Sequence, residues 1–329
     1  MTHHPTLARR HWLAAALALS VAAAVPQPAA AQAFPSKTMT FVIPFAAGSA
    51  TDQLGRALGR SVSEQTGQPV FVENNGGASG QIAAQLVANA AADGYTVLIT
   101  TNTTHAANEH LYKKLSYDPV KDFAPITGLG KGGQVLVVRP DAPYGNVMDL
   151  VAAAKKSPGK LSFGSGSSSS RMAGEMFKQL TDTDILHVPY KSNPSALTDL
   201  MGGQIDFMIT DTSTGVPQIN SGKLKALGVS TTQRNPLLAD VPTIAEAGVK
   251  GYDMGYWFAA YAPAGTPPEV VGKLRELLVK ATQDDAARNF FAGSGSTAWT
   301  TGSEELAKFQ AEEAAKWGRV IKAAGIQPE

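Results

Sequence analysis

The chain has 329 residues, 43% hydrophobic and 17% charged, which is length enough for two domains with buried cores and too apolar for a disordered segment or a coiled coil. Its 28 basic and 27 acidic side chains leave a formal charge of +1, so nothing electrostatic favours nucleic acid as a partner. With no cysteine, disulfides, thiolate nucleophiles, Cys-ligated zinc and iron–sulfur clusters are excluded.

The first thirty-odd residues read as an export signal. Arg9 and Arg10 precede an apolar stretch at 12–25, and Ala31-Gln32-Ala33 has the small-x-small form cut by signal peptidase. That stretch is shorter than the roughly 20 residues needed to cross a bilayer. Arg9-Arg10 leaves both the general and the twin-arginine export routes open. The mature chain is expected to begin at Phe34 and to work in the periplasm.

From there strand and helix signals alternate. Strand-length apolar runs fall at 39–43, 70–72, 96–99, 135–138, 161–163, 185–188, 205–209, 226–229 and 257–261. Helix-length stretches fall between them at 51–65, 81–91, 147–156, 171–180 and 195–201, which predicts an α/β chain with parallel sheets. Beyond Trp257 the pattern turns helical at 267–281, 284–291 and 304–323. Thr266-Pro267-Pro268-Glu269 and Ser303-Glu304-Glu305 supply caps and early acidic residues.

A weak repeat organises the strands. Phe41-Val42-Ile43-Pro44-Phe45-Ala46-Ala47-Gly48-Ser49-Ala50 runs from strand through small residues into a helix, and the 161–170 stretch repeats that form with Ser165, Gly166, Ser167, Ser168, Ser169 and Ser170. Likewise 93–100 is echoed by 203–210. Two β-α-β-α-β halves facing each other would enclose a crevice at the carboxyl edges of their first strands. Small residues and helix N-termini there expose backbone N–H groups and favour an anion. The segment Thr100-Thr101-Asn102-Thr103-Thr104 adds hydroxyl and amide donors. Read without a ligand, the same residues are N-caps and polar turns, and the serine run could also be a linker.

Enzyme motifs are sparse. Gly128-Leu129-Gly130-Lys131-Gly132-Gly133 fits G-x-G-x-x-G, but a strand follows where a dinucleotide site needs a helix. His105, His110 and His187 are dispersed and suit neither a metal site nor a triad; core or surface roles are expected. The acidic pairs Asp284/Asp285, Glu304/Glu305 and Glu312/Glu313 read as solvated helix faces. No cofactor or metal is expected.

A family resemblance rests on collinear blocks spanning nearly the whole mature chain. They are Val42-Ile43-Pro44-Phe45-Ala46-Ala47-Gly48 with Asp52, Val72-Glu73-Asn74, Gly80, Asp93-Gly94-Tyr95-Thr96, Tyr117-Asp118-Pro119-Val120-Lys121-Asp122-Phe123, Val188-Pro189-Tyr190-Lys191, Asp199-Leu200-Met201-Gly202-Gly203, Val241-Pro242-Thr243-Ile244-Ala245-Glu246-Ala247-Gly248 and Ala262-Pro263-Ala264-Gly265-Thr266-Pro267. In these the chain resembles the solute receptors of tripartite tricarboxylate transporters, the Bug-type binding proteins. The resemblance implies a two-lobed, type II-like periplasmic binding fold, each lobe a mostly parallel sheet flanked by helices. One lobe would comprise 34–135 plus 256–329 and the other the inserted 136–255, with the ligand cleft between. It implies a non-enzymatic monomer that captures a small carboxylate and passes it to integral membrane transporter subunits (TctA/TctB-like) or a sensor. It places ligand contacts on Phe45, Ala46, Ala47, Gly48, Ser49, Ala50 and Thr51; on Thr101, Asn102 and Thr103; on Ser165 and Ser167 to Ser170; and on Asp211.

Departures from the family pattern point to an altered pocket. Gly48-Ser49 stands where a Gly-Gly pair is common, Ser192 where Gly follows Tyr-Lys, and Arg171 where a His ends the second loop. Arg171 in a first helical turn is disfavoured by the dipole unless an anion is near, so it is a candidate for a second carboxylate, solvent-facing placement being the other reading. Phe45 could pack on an aromatic ligand or plug the cleft wall. The expected ligand is a dicarboxylate, aliphatic or aromatic such as terephthalate, held by neutral donors with weak salt dependence. A secreted serine hydrolase using one of the crowded serines is the alternative.

Overall fold

The computed structural model describes Met1 and residues 34–323 and 325–328. The export signal at 1–33 therefore lies outside the described residues, except for Met1. Among the described residues no helix is long and apolar enough to cross a membrane.

The first half of the chain forms β1 (Met39–Ile43), α1 (Ala50–Thr66), β2 (Val70–Asn74), α2 (Gln81–Ala88), β3 (Thr96–Thr101), the short α3 (Asn108–Leu111), β4 (Phe123–Val138) and α4 (Val147–Lys156). There follow β5 (Ser162–Ser165), α5 (Ser168–Thr181), β6 (Leu186–Pro189), α6 (Asn193–Met201), β7 (Phe207–Asp211), α7 (Thr212–Asn220) and β8 (Lys225–Val229). The chain ends through β9 (Gly255–Pro263), α8 (Pro268–Ala281), α9 (Asp285–Ser294), β10 (Thr297–Ala298) and α10 (Ser303–Ala323). The expected alternation is present. Local chemistry marks most boundaries: Ser49 caps α1, Asn146 and Asp149 close a capping box on α4, Ser167 caps α5 and Ser192 caps α6.

The strands run in the order β2-β1-β3-β9-β4-β7-β5-β6, with β8 and β10 also paired to β4. The repeat seen in sequence is a repeat in topology. β1 lies between β2 and β3, and β5 between β6 and β7, all four pairings being parallel. The parallel expectation needs one correction, at the centre. β3–β9, β4–β9, β4–β7, β4–β8 and β4–β10 are antiparallel, because the long strand β4 runs from one βα unit into the other and β9 lies between its first half and β3, without a helix returning the chain. Along β4 the partner changes from β9, whose last pairing is Gly133 with Gly255, to β7, whose first is Gln134 with Asp211.

The discarded G-x-G-x-x-G segment is strand, inside β4. Its glycines make room for aromatic neighbours: a Cβ on Gly128 would stand 2.5 Å from the Trp299 ring, and one on Gly130 2.6 Å from Phe291. The main core joins Val42 and Leu98 on one side to Phe163, Phe177, Phe207 and Tyr252 on the other. A smaller core packs Val135, Val137 and Met208 of the sheet with Leu197 and Leu200 of α6 and Val216 of α7. Full burial of each such side chain contributes about 1.5–3 kcal/mol.

Candidate functional site

The β1–α1 loop is fixed by one carboxylate. Asp52, almost wholly buried, accepts from the Gly48 N–H at 2.8 Å, from Arg56 Nε at 2.9 Å and from Asn74 Nδ2 at 3.0 Å, while Asn74 also donates to the Phe45 carbonyl at 3.0 Å. Burial alone would raise the Asp52 pKa, but the Arg56, Gly48 and Asn74 donors outweigh it and hold the carboxyl below its usual value. Gly48 sits at φ 81°, in the left-handed region glycine supplies at little cost. The consequence is a rigid turn that delivers Ser49, Ala50 and Thr51 at the start of a helix, the Ser49 N–H donating to the Ala46 carbonyl and the Asp52 N–H to the Ser49 hydroxyl.

The β5–α5 loop is placed differently. Gly166 lies so close to the 192–193 backbone that a Cβ would stand 1.8 Å from the Ser192 carbonyl carbon, so only glycine fits. Its N–H donates to Asn193 Oδ1 at 2.9 Å, and Asn193 Nδ2 donates to Asp211 Oδ2 at 2.8 Å. The serine hydroxyls reach outward. Ser168 Oγ donates to Asn108 Oδ1 at 2.9 Å, Ser169 Oγ donates to Asn102 Oδ1 at 3.2 Å and lies 3.3 Å from Thr103 Oγ1, and Ser170 Oγ donates to the Ile209 carbonyl. The serine run thus stitches α5 to the segment after β3.

Between the loops lies a small, narrow cleft. Phe45, Ser49, Ala50, Thr51 and Thr101 line it from one side, and Ser167, Ser169 and Asp211 from the other. Gly166, Asn193, Tyr256 and Phe258 complete the wall. The hydroxyls, the amide and the helix N-termini offer donors, and the two phenyl rings offer apolar faces. Among the described residues Asp211 is the only charged one lining the cleft. Its burial pushes the carboxyl up to about 6, against the pull of the Asn193 amide. The buried Tyr256 hydroxyl has no hydrogen bond of normal geometry, and burial raises its pKa.

A second, larger compartment of about 320 Å³ adjoins the cleft, sharing Phe45, Gly166 and Ser167. Ser165, Ser168, Arg171, His187, Tyr112 and Lys191 line it. Of the residues named from sequence, eight therefore meet in the cleft and Ser165, Ser168 and Arg171 in the neighbouring compartment. Ala46, Ala47 and Gly48 lie on the outer side of their turn and line neither space; Asn102, Thr103 and Ser170 are buried and spend their side chains within the protein.

Asn193, Tyr256, Phe258 and Asn108 were not legible as site residues. Asn193 follows a cap and precedes Pro194, which reads only as a helix start. His187, dispersed in sequence, is brought by the β5–β6 register to 2.7 Å from Ser165 Oγ. His105 is a core residue, stacked 3.9 Å from the Tyr261 ring and bonded to Thr104, and burial pushes its pKa down to about 3. His110 bonds the Ala314 carbonyl. Among the described residues no group of three or more His, Cys, Asp or Glu is placed to hold a metal ion.

Comparison with known proteins agrees with this architecture. Residues 54–326 match the model of the tripartite tricarboxylate transporter family receptor. BugT of Bordetella pertussis is 31% identical over 308 residues, 93% of this chain and 94% of BugT. An R. palustris protein solved with adipate is 35% identical with TM-score 0.87, over 90% of this chain and 100% of that one. MatC from Rhodopseudomonas palustris, solved with bound malate, is 32% identical with TM-score 0.83, over 88% and 100%. Fold, collinear motifs and matched length agree: the chain belongs to the tripartite tricarboxylate transporter receptor family, the solute-binding proteins of Bug type.

Proposed function

We propose that the protein is a periplasmic receptor that closes on a small carboxylate, without chemistry, and hands it to membrane transporter subunits or a sensor. The observation that carries this reading is the meeting, in one small cleft, of two capped helix N-termini and the Thr101 hydroxyl, with no cationic residue in the lining among the described residues. Such a cleft replaces the water shell of a carboxylate with fixed N–H and O–H donors. Relatives solved with adipate and with malate support an organic acid as ligand. A dicarboxylate is favoured, aliphatic like these two or aromatic like terephthalate. The change of β4 partner between Gly133 and Gln134, and the start of β9 at Gly255, support lobes of 34–135 plus 256–329 and of 136–255, with closure by rotation about those strands.

A thermal-shift panel of mono-, di- and tricarboxylates tests the reading. A ligand at 100 times its Kd stabilises by about 2.7 kcal/mol and raises the midpoint by several degrees. A panel without any shift would refute it. The hydrolase alternative draws on the Ser165–His187 pair, the spacing of a nucleophile beside its base. It requires turnover of small esters that disappears in Ser165→Ala.

A further inference from the structure

The serine run at the start of α5 is bonded to residues far away in the chain. Ser168 Oγ donates to Asn108 Oδ1 at 2.9 Å, and Ser169 Oγ donates to Asn102 Oδ1 at 3.2 Å. The serines belong to the stretch 136–255 and the asparagines to 34–135, so both bonds join the two proposed lobes, and all four side chains are buried. A hydroxyl has one proton to give. Spent on an asparagine carbonyl, it is not offered to a carboxylate, which can only accept. These two hydroxyls therefore hold the lobes to each other and not the ligand.

The asparagines are set to receive them. Asn108 Nδ2 donates to the Ser79 carbonyl at 2.9 Å and to the Tyr117 hydroxyl at 3.3 Å, which fixes the amide with its oxygen toward Ser168. Tyr112 OH donates to Ser79 Oγ at 2.9 Å, and these clamps hold a left-handed pair without glycine, Ala78 at φ 45° and Ser79 at φ 51°. Asn102 Nδ2 is buried with no hydrogen-bond partner among the described residues, so without Ser169 that amide would be left wholly unsatisfied. Other bonds between the same stretches stand where β4 changes partner: the Gln134 N–H donates to Ser230 Oγ at 2.8 Å, and Thr212 Oγ1 to the Gly133 carbonyl at 3.2 Å. Rotation about the strands preserves bonds at the axis and breaks those beside the cleft.

We propose that Ser168–Asn108 and Ser169–Asn102 form a latch that sets the fraction of closed receptor before a ligand arrives, with Asn102 and Asn108 as positioning residues that do not touch the ligand. This rests on the two-lobed receptor reading. Apparent affinity is the intrinsic affinity scaled by the closed fraction, so the latch scales it by one factor for every ligand, whereas a residue contacting the ligand discriminates among ligands.

The test pairs small-angle X-ray scattering with titration calorimetry on the full chain, for the unaltered protein, the double variant Ser168→Ala/Ser169→Ala, each single variant, and Ser170→Ala, whose hydroxyl bonds the Ile209 carbonyl inside one lobe. The ligand-free double variant should have a larger radius of gyration than the unaltered protein and contract to the same value at saturating adipate, while Ser170→Ala leaves the ligand-free dimensions unchanged. Affinities for adipate and for malate should fall by the same factor, about fivefold, the equivalent of one net hydrogen bond. Each single variant should expand in the same sense, which keeps the latch testable if the double variant fails to fold. Unchanged ligand-free dimensions, or losses that differ more than threefold between the two acids, would overturn the latch and leave the receptor reading standing. An unaltered protein that binds no acid would remove that reading, while the ligand-free scattering would still uphold or overturn the latch.

Discussion

Two aspartates, Asp52 behind the β1–α1 loop and Asp211 in the cleft wall, have opposite shifts in proton affinity for reasons visible in their surroundings. Asp52 is enclosed by Arg56, Asn74 and the Gly48 N–H and stays ionised below the usual carboxylate range, while Asp211 has one amide partner, Asn193, and rises to about 6. The first is a structural tie that shapes a loop. The second faces the ligand space, and its charge opposes an incoming carboxylate. The contrast teaches that burial decides a carboxyl's role only together with the donors that accompany it.

The largest expected effect comes from outside the pair and must be separated from it. Buried neutral His105 has a folded pKa depressed from 6.5 to about 3, so the stability it contributes is complete above pH 6.5 and is lost as pH falls toward 3, by about 3 kcal/mol at pH 4. Urea unfolding from pH 8 to 4 should show that loss, and His105→Phe should flatten it. Asp52→Ala should cost about 1–2 kcal/mol at pH 7 by removing the acceptor shared by Asn74 and the Gly48 N–H, half-exposed Arg56 turning to water, and should also weaken ligand binding because the β1–α1 turn loosens. A variant as stable as the unaltered protein would show that the turn holds without its tie.

Asp211 should behave in the opposite sense. Its folded pKa is raised, so its favourable contribution is full below about 3.8 and is lost as pH rises through 6; Asp211→Asn should therefore stabilise the protein at pH 8 by up to about 3 kcal/mol. In the unaltered protein carboxylate affinity should increase as pH falls from 7.5 to 5.5, and in Asp211→Asn it should not; calorimetry over that range sharpens the contrast. The smallest effect is expected from the serine bridge. Ser169→Ala removes hydrogen bonds to the Asn102–Thr103 segment and should cost about 1 kcal/mol in a denaturant titration.

Much of this architecture is written locally. Apolar runs bounded by Gly, Pro and Ser give nearly every strand, and Ser49, Ser167 and Ser192 announce their helices as caps do anywhere. The first half of β4 escapes such reading because Gly128, Gly130, Gly132 and Gly133 carry no strand propensity; Trp299, Phe291, Tyr256 and Thr231, brought against them by the tertiary fold, create the need for them. Helix α7 escapes because Gly215 and Pro217 interrupt its pattern. At the site, the two loops are legible as helix starts beside small residues. The partners that aim them, Asn193 on Asp211 and Asn108 on Ser168, lie 18 and 60 positions away and follow from the tertiary fold.

A crystal structure grown with saturating adipate would bear most directly on the claim that backbone amides and hydroxyls of both loops grip a carboxylate. The account predicts one carboxylate within about 3 Å of donors from both the 49–51 turn and the 167–169 turn. Adipate bound elsewhere, or touching only one of those turns, would contradict it.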